Sequence, residues 1–249
     1  MHQPENPGAL RIRPLIIGLV IVGVLMPLTG ILLDFFLKNG GSTAVEGIRN
    51  LTYPDAEGNV FVWFSSMVLA SIGFGFLLIA AATRGTGRSV WPFIAMAAIA
   101  FLLSADEAAY LHERLANFAS ALGLNSAFLY QWVLIAVPIA FAVGLLLLWL
   151  ARALDPVLRR RLLIAGIVFL AGAVGMEILG GVIQKVDLGM TSEVRNAVHG
   201  IEILIEETLE ILGAILALRA VLAHLNISTG PEGLAFELPP YVPRVKKEK

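Results

Sequence analysis

Residues 14–37 read PLIIGLVIVGVLMPLTGILLDFFL, from Pro14 to Leu37, and Asp34 is the one ionisable side chain among them. About 20 consecutive apolar residues let a helix cross a bilayer, so this stretch predicts a transmembrane helix. The pattern recurs at Val60 to Thr83, Trp91 to about Leu115, Ala127 to Leu150, Leu162 to Ile183 and Ala197 to Ala223. None of these runs alternates with the period of two of a barrel strand. The expected fold is all-α: a polytopic membrane bundle of six transmembrane helices in residues 1–227, followed by a flexible cytoplasmic tail at 228–249. Arg11 and Arg13 precede the first run as in a signal peptide, but the run exceeds the roughly 7 to 15 residues of a signal core. It is read as a retained anchor.

The composition agrees. Hydrophobic residues make up 57% and charged residues 15%, with a mean hydropathy of +0.81, where a water-soluble domain carries roughly 25% charged residues. A soluble enzyme and a disordered chain are both excluded. The net charge of -1 leaves no basic excess for nucleic acid. The absence of cysteine removes disulfides, thiolate ligands and cysteine nucleophiles.

Basic residues assign the sides. Arg11, Arg13, Arg84, Arg88, Arg152, Arg159, Arg160, Arg161, Arg244, Lys246, Lys247 and Lys249 fall on one side, against Lys38, Arg49, Arg114, Lys185 and Arg195 on the other. By the positive-inside rule the first side, with both termini, is cytoplasmic. Trp63, Trp132, Trp91 and Trp149 lie near helix ends, as in an aromatic belt. Residues 38–59, with Gly40-Gly41, Tyr53-Pro54 and Gly58, are expected to form a loop capping the outer end. The tail, with Pro231, Pro239-Pro240 and Pro243, is expected to be extended or disordered. Gly73, Gly75, Gly172, Gly175, Gly180 and Gly181 are expected to let helices approach closely.

Acids occur where lipid should forbid them. In the sixth span, His199, Glu202, Glu206 and Glu210 fall within roughly 80° of one another at about 100° per residue, with Glu207 beside them. The third span ends in Asp106-Glu107, Tyr110 and His112-Glu113; on a continuous helix Asp106, Tyr110 and Glu113 share a face. Glu177 lies in the outer half of the fifth span and Asp34 near the outer end of the first. Each acid at the bilayer centre costs about 2.5 to 3.5 kcal/mol on insertion scales. Bound metal is the simplest compensation, because carboxylates and imidazoles at i, i+3 and i+4 are the ligands of two-metal helix bundles.

Plainer readings compete. Asp34, Asp106 and Glu113 are also consistent with solvated interfacial acids, His112 and His199 with structural histidines, and the whole cluster with a metal-free acidic vestibule. Ser65, Ser66 and Gln131 are read as bonding back to their own helices rather than serving the site.

The segments Asn59-Val-Phe-Val-Trp63-Phe64-Ser65-Ser66, Leu103-Ser104-Ala-Asp106-Glu107 through His112-Glu113, Gly175-Met-Glu177 through Gly180-Gly181, and Glu206-Glu207-Thr-Leu-Glu210-Ile-Leu-Gly213 resemble a family of uncharacterised bacterial multi-pass membrane proteins. The resemblance covers about residues 10 to 225 and implies a bacterial inner-membrane location and this topology, with no reaction attached. Ligand chemistry is similar to that of ferritin-like di-metal proteins, but their Glu-x-x-His pair is absent and His199-x-x-Glu202 runs in reverse.

The expectation is a metal-dependent membrane enzyme acting on a lipid or other apolar substrate at the outer leaflet, either a hydrolase or an oxidoreductase. One or two divalent ions (Fe, Mn or Zn) are assigned to Asp106, Glu113, Glu177, His199, Glu202, Glu206 and Glu210. Glu107, Tyr110, His112 and Glu207 are assigned catalytic or proton-carrying roles. The alternatives are a proton or cation transporter using the acidic stripe and a non-catalytic subunit of a membrane complex. Membrane lipids are the expected partners, nucleic acid is not, and the oligomeric state stays open.

Overall fold

The computed structural model describes residues 11–37, 42–56, 58–127, 129–230 and 233–238. Lys38, Gly40-Gly41, Pro231 and the tail beyond residue 238 lie outside these residues, as does the side chain of Glu113. The chain folds into helices α1 (Ile12–Leu37), α2 (Thr43–Thr52), α3 (Val60–Thr83), α4 (Trp91–Ala109), α5 (Leu111–Ala121), α6 (Val133–Leu150), α7 (Pro156–Leu170), α8 (Glu177–Lys185) and α9 (Ser192–His224). A π-helical segment, Ala171–Met176, joins α7 to α8 without a break.

Five stretches are long and apolar enough to cross a membrane: α1, α3, α4, α6 with its following turn, and the continuous rod Pro156–Lys185. This is a helical membrane protein. Helix α9 is longer than any single one of these helices, but its acids keep it out of that group.

Helix α9 is the central element, packed against α1, α3, α7, the π segment and α8. Its second half is apolar, and Ile211, Ala214, Ile215 and Leu218 are buried at the i, i+3, i+4, i+7 spacing of one helical face. Glycines bring its neighbours in. A Cβ on Gly23 of α1 would lie 2.9 Å from Ile211, and a Cβ on Gly75 of α3 would run into Val221. Gly213 of α9 meets the backbone of Phe169, its would-be Cβ lying 2.6 Å from that residue's nitrogen. The expected packing role holds for Gly73, Gly75, Gly172 and Gly180, each of which faces a neighbour closer than a methyl group allows, but not for Gly175, whose would-be Cβ meets nothing nearer than 4.0 Å. Gly23 and Gly213 add close approaches of the same kind.

Several boundaries differ from the sequence reading. The loop expected at 38–59 contains α2, fastened to α1 by Arg49, whose Nη2 lies 2.6 Å from Asp34 Oδ1. The third span does not continue to residue 115. Helix α4 ends at Ala109, Tyr110 takes a left-handed conformation (φ 50°, ψ 45°), and α5 sets off in a new direction. A non-glycine residue there stores about 1 to 3 kcal/mol. The turn is held by Tyr110 Oη donating to Ala56 O at 3.1 Å and by Asp106 Oδ1 accepting the His112 N–H at 2.8 Å, which satisfies an orphan donor of the new helix. The fourth helix starts at Val133 rather than 127. The presumed tail begins as an antiparallel hairpin, β1 (Asn226–Gly230) with β2 (Gly233–Glu237).

Candidate functional site

One end of the bundle gathers the acids. It holds the C-terminal ends of α1, α4 and α8 and the N-terminal ends of α3 and α9, cross-linked by contacts such as Lys185 Nζ to Leu129 O at 2.6 Å and Arg49 to Asp34. Within it lies a cavity of about 90 Å³. Its lining is Pro54, Asp55, Val62, Glu107, Tyr110, His112, Glu177, Ile203, Glu206, Glu207 and Glu210. Six carboxyl groups from a loop, α4, α8 and α9 thus share one small space with an imidazole and a phenol. Among the described residues no lysine or arginine lines it.

Two local devices aim these side chains. The π segment carries one residue more per turn than an α-helix, and such turns concentrate at functional sites. It ends at Met176, and Glu177, the first residue of α8, lines the cavity together with Glu206 of α9. Gly172 in that segment lets α9 come so near that its absent Cβ would sit 2.7 Å from Glu206 O and 2.8 Å from Glu210 Cγ. The second device is the turn at Tyr110. On a continuous helix Asp106, Tyr110 and Glu113 would share a face; with the turn, Glu107, Tyr110 and His112 line the cavity and Asp106 lies behind them. Its Oδ2 is 2.9 Å from His112 Nδ1.

Of the residues expected to matter, Glu107, Tyr110, His112, Glu177, Glu206, Glu207 and Glu210 come together. Glu202 and His199 form a separate couple, His199 Nδ1 lying 2.9 Å from Glu202 Oε2. Glu202 is 3% exposed and packs on Gly180, and its Oε1 has no hydrogen-bond partner. Among the described residues, no three carboxylate or imidazole groups stand close enough together to hold a metal ion as they are placed.

Ser66 does not simply bond back to its helix: its Oγ donates to Ser104 O at 3.0 Å, tying α3 to α4. Gln131 accepts from Ser120 and donates to Asn125, away from the cavity.

Sequence reasoning missed Asp55, Tyr53 and Tyr130. Asp55 stands exposed at the cavity mouth, yet its partial withdrawal from water raises its pKa, with His199 opposing the shift and Glu202 reinforcing it. The Tyr53 phenol is pushed up to about 12 by burial and then by Asp55 and Asp34. The Tyr130 phenol is pushed up to about 12 by burial and then by Glu177, Glu202, Asp55 and Glu206. For Tyr53 and Asp55 the available signal was that they flank Pro54 in a loop between two spans, where polar residues attract no notice.

A family model described as Domain of unknown function (DUF8692) matches residues 14–225. No curated protein and no solved structure matches the chain.

Proposed function

The chain belongs to the DUF8692 family of unknown function, and from its own residues we propose that it is a metal-dependent enzyme of the bacterial inner membrane. In this reading α9 is the sixth span, both termini are cytoplasmic, and the acidic cavity opens at the outer leaflet onto a lipid or other apolar substrate. One observation carries it: a one-ended cavity whose described lining residues bring six carboxyl groups together with one imidazole and no lysine or arginine. Charges of one sign crowded into a low-dielectric space need cations or protons. A path across the membrane is not continued, because α9 is apolar from Ile211 to Leu218 and buries most of that face.

The donor set fits one or two divalent ions in chemistry but not in its present rotamers. Glu206 and Glu210 are four residues apart on one helical face, and Glu177 lines the same cavity from α8. These three side chains can converge by turning about their own bonds. A bound ion supplies a Lewis acid and an activated water for hydrolysis, or redox chemistry if it is iron. Glu107, Glu207, Tyr110 and His112, which line the same cavity, would hold and move protons beside it.

The test is elemental analysis of protein purified without chelator and reloaded with Fe, Mn or Zn. Stoichiometric metal that Glu206→Ala removes supports the reading; its absence, or its retention in the variant, overturns it. A second reading, a proton or cation transporter, draws on the gathering of Glu177, Glu206 and Glu210 in one cavity, since carboxyl groups crowd together only with protons or cations among them. It requires uptake into proteoliposomes that Glu206→Gln abolishes.

A further inference from the structure

Asp106 takes no part in the proposed metal site, yet it makes the most directed polar contacts around the cavity. Its Oδ1 accepts the backbone N–H of His112 at 2.8 Å and its Oδ2 lies 2.9 Å from the ring Nδ1. One carboxylate therefore fixes both the chain entering α5 and the imidazole it carries. Trp132 packs at the same ring, with centroids 4.8 Å apart and planes tilted by 55°.

This contact exists only because the helix breaks. In a continuous α-helix, residues six apart are turned about 120° from each other and separated by about 9 Å along the axis. The left-handed Tyr110 folds the chain back so that residue 112 reaches residue 106. A strained residue held in place by its surroundings is a common mark of a functional site, and here the strain has an identifiable product.

A carboxylate only accepts hydrogen bonds, and a neutral imidazole has one N–H. A carboxylate facing Nδ1 places that proton on Nδ1 and leaves the lone pair on Nε2, at the far edge of the ring. His112 lines the cavity. We infer that Asp106 is a positioning residue that holds His112 as the Nδ1–H tautomer and thereby makes Nε2 the basic atom offered to the cavity. The inference deepens the metal-enzyme reading and rests on it for its purpose: a base of fixed orientation beside the carboxyl groups. Asp106 is then not a ligand, and its substitution acts through His112.

The experiment is long-range 1H–15N correlation on the full-length protein, 15N-labelled at histidine, in detergent at pH 8 with neither metal nor substrate. The His112 signals are assigned with His112→Asn. Wild type is expected to show Nδ1 protonated and Nε2 bare. Asp106→Leu should shift His112 to the Nε2–H form, while His199, paired with Glu202, stays unchanged and reports an intact fold. Asp106→Asn keeps one acceptor oxygen, which the obligate backbone N–H donor of His112 takes, and turns its NH2 toward Nδ1. It should therefore also shift His112 to the Nε2–H form, and retention of Nδ1–H in it counts against the inference. His112 found as Nε2–H in wild type, or still Nδ1–H in Asp106→Leu with His199 intact, overturns the inference. If Asp106→Leu does not fold, the wild-type tautomer and the Asn variant decide. Failure here sinks the positioning role alone, whereas failure of metal uptake sinks the enzyme reading and leaves the tautomer standing.

Discussion

Replacing Gly172 with alanine probes the contact on which the cavity depends. The added Cβ would lie 2.7 Å from Glu206 O, 2.8 Å from Glu210 Cγ and 3.1 Å from Glu210 N. Two of these atoms are backbone, so no rotamer change clears them, and α9 must move away from the π segment by several tenths of an ångström. Overpacking of this kind costs about 1 to 3 kcal/mol. Glycine-to-alanine in a helix also gains up to about 1 kcal/mol in propensity, so the clash needs a matched control. Gly166 supplies it: it lies on α7, six residues earlier in the same rod, and its Cβ would meet nothing within 4 Å. The difference between Gly172→Ala and Gly166→Ala therefore isolates the clash. At about 2 to 4 °C per kcal/mol for a chain of this size, Gly172→Ala should unfold roughly 2 to 12 °C below Gly166→Ala in the same detergent. It should also bind metal more weakly, because Glu206 and Glu210 are carried away from Glu177. Equal melting temperatures for the two variants would refute the claim that the π segment and α9 are in backbone contact at the site.

Asp55 gives a pH prediction. Its pKa is higher in the folded protein than its ordinary value, so the folded state holds the proton longer than the unfolded one. Stability then falls as pH rises from the ordinary carboxylate range through the raised value, and the loss is complete above it. Asp55→Asn should flatten this part of the curve, giving a variant that gains on wild type as pH rises from 4 to 7 in thermal melts; a parallel offset at all pH values would contradict the assignment. Arg49→Ala should loosen α2, because it removes two hydrogen bonds to Asp34 Oδ1, at 2.6 and 3.0 Å. The pair is partly exposed, so the cost is about 1 kcal/mol, read as faster amide exchange confined to residues 43–52.

Five of the six expected spans were legible as helices long and apolar enough to cross a membrane, because apolar length is a strong signal and lipid leaves the backbone few options. Most of the glycine contacts followed from the same physics: Gly73, Gly75, Gly172 and Gly180 are small because a helix lies against them, whereas Gly175 has no such neighbour and the tight approaches at Gly23 and Gly213 were not singled out. The acids of α9 were legible as a stripe, and Glu206, Glu207 and Glu210 do line one cavity. What the sequence concealed was direction. Tyrosine is not a helix breaker, and apolar periodicity runs through residue 110, so nothing local announced the turn that exchanges Asp106 for His112 at the cavity. The π segment was equally silent, since Ala171–Met176 is small and apolar like any packed helix. Asp55 belongs to a loop, where an acid carries no cost and so draws no attention.

The two halves of α9 explain each other. Its apolar half is gripped by α1, α3 and α7 through Gly23, Gly75 and Gly213. Its acidic half meets the π segment and α8 just as closely, at Gly172 and Gly180, but there the neighbouring side chains are carboxyl groups. Close packing on both sides fixes the helix, so the acids cannot relieve their crowding by moving α9 toward solvent. The compensation must come to them, as protons or as cations entering past Asp55 at the open end. A structural vestibule has no need of a strained tyrosine, a π-helical turn and a carboxylate-bound imidazole directed at one small cavity. A site that binds a cation and manages a proton beside it makes use of all three.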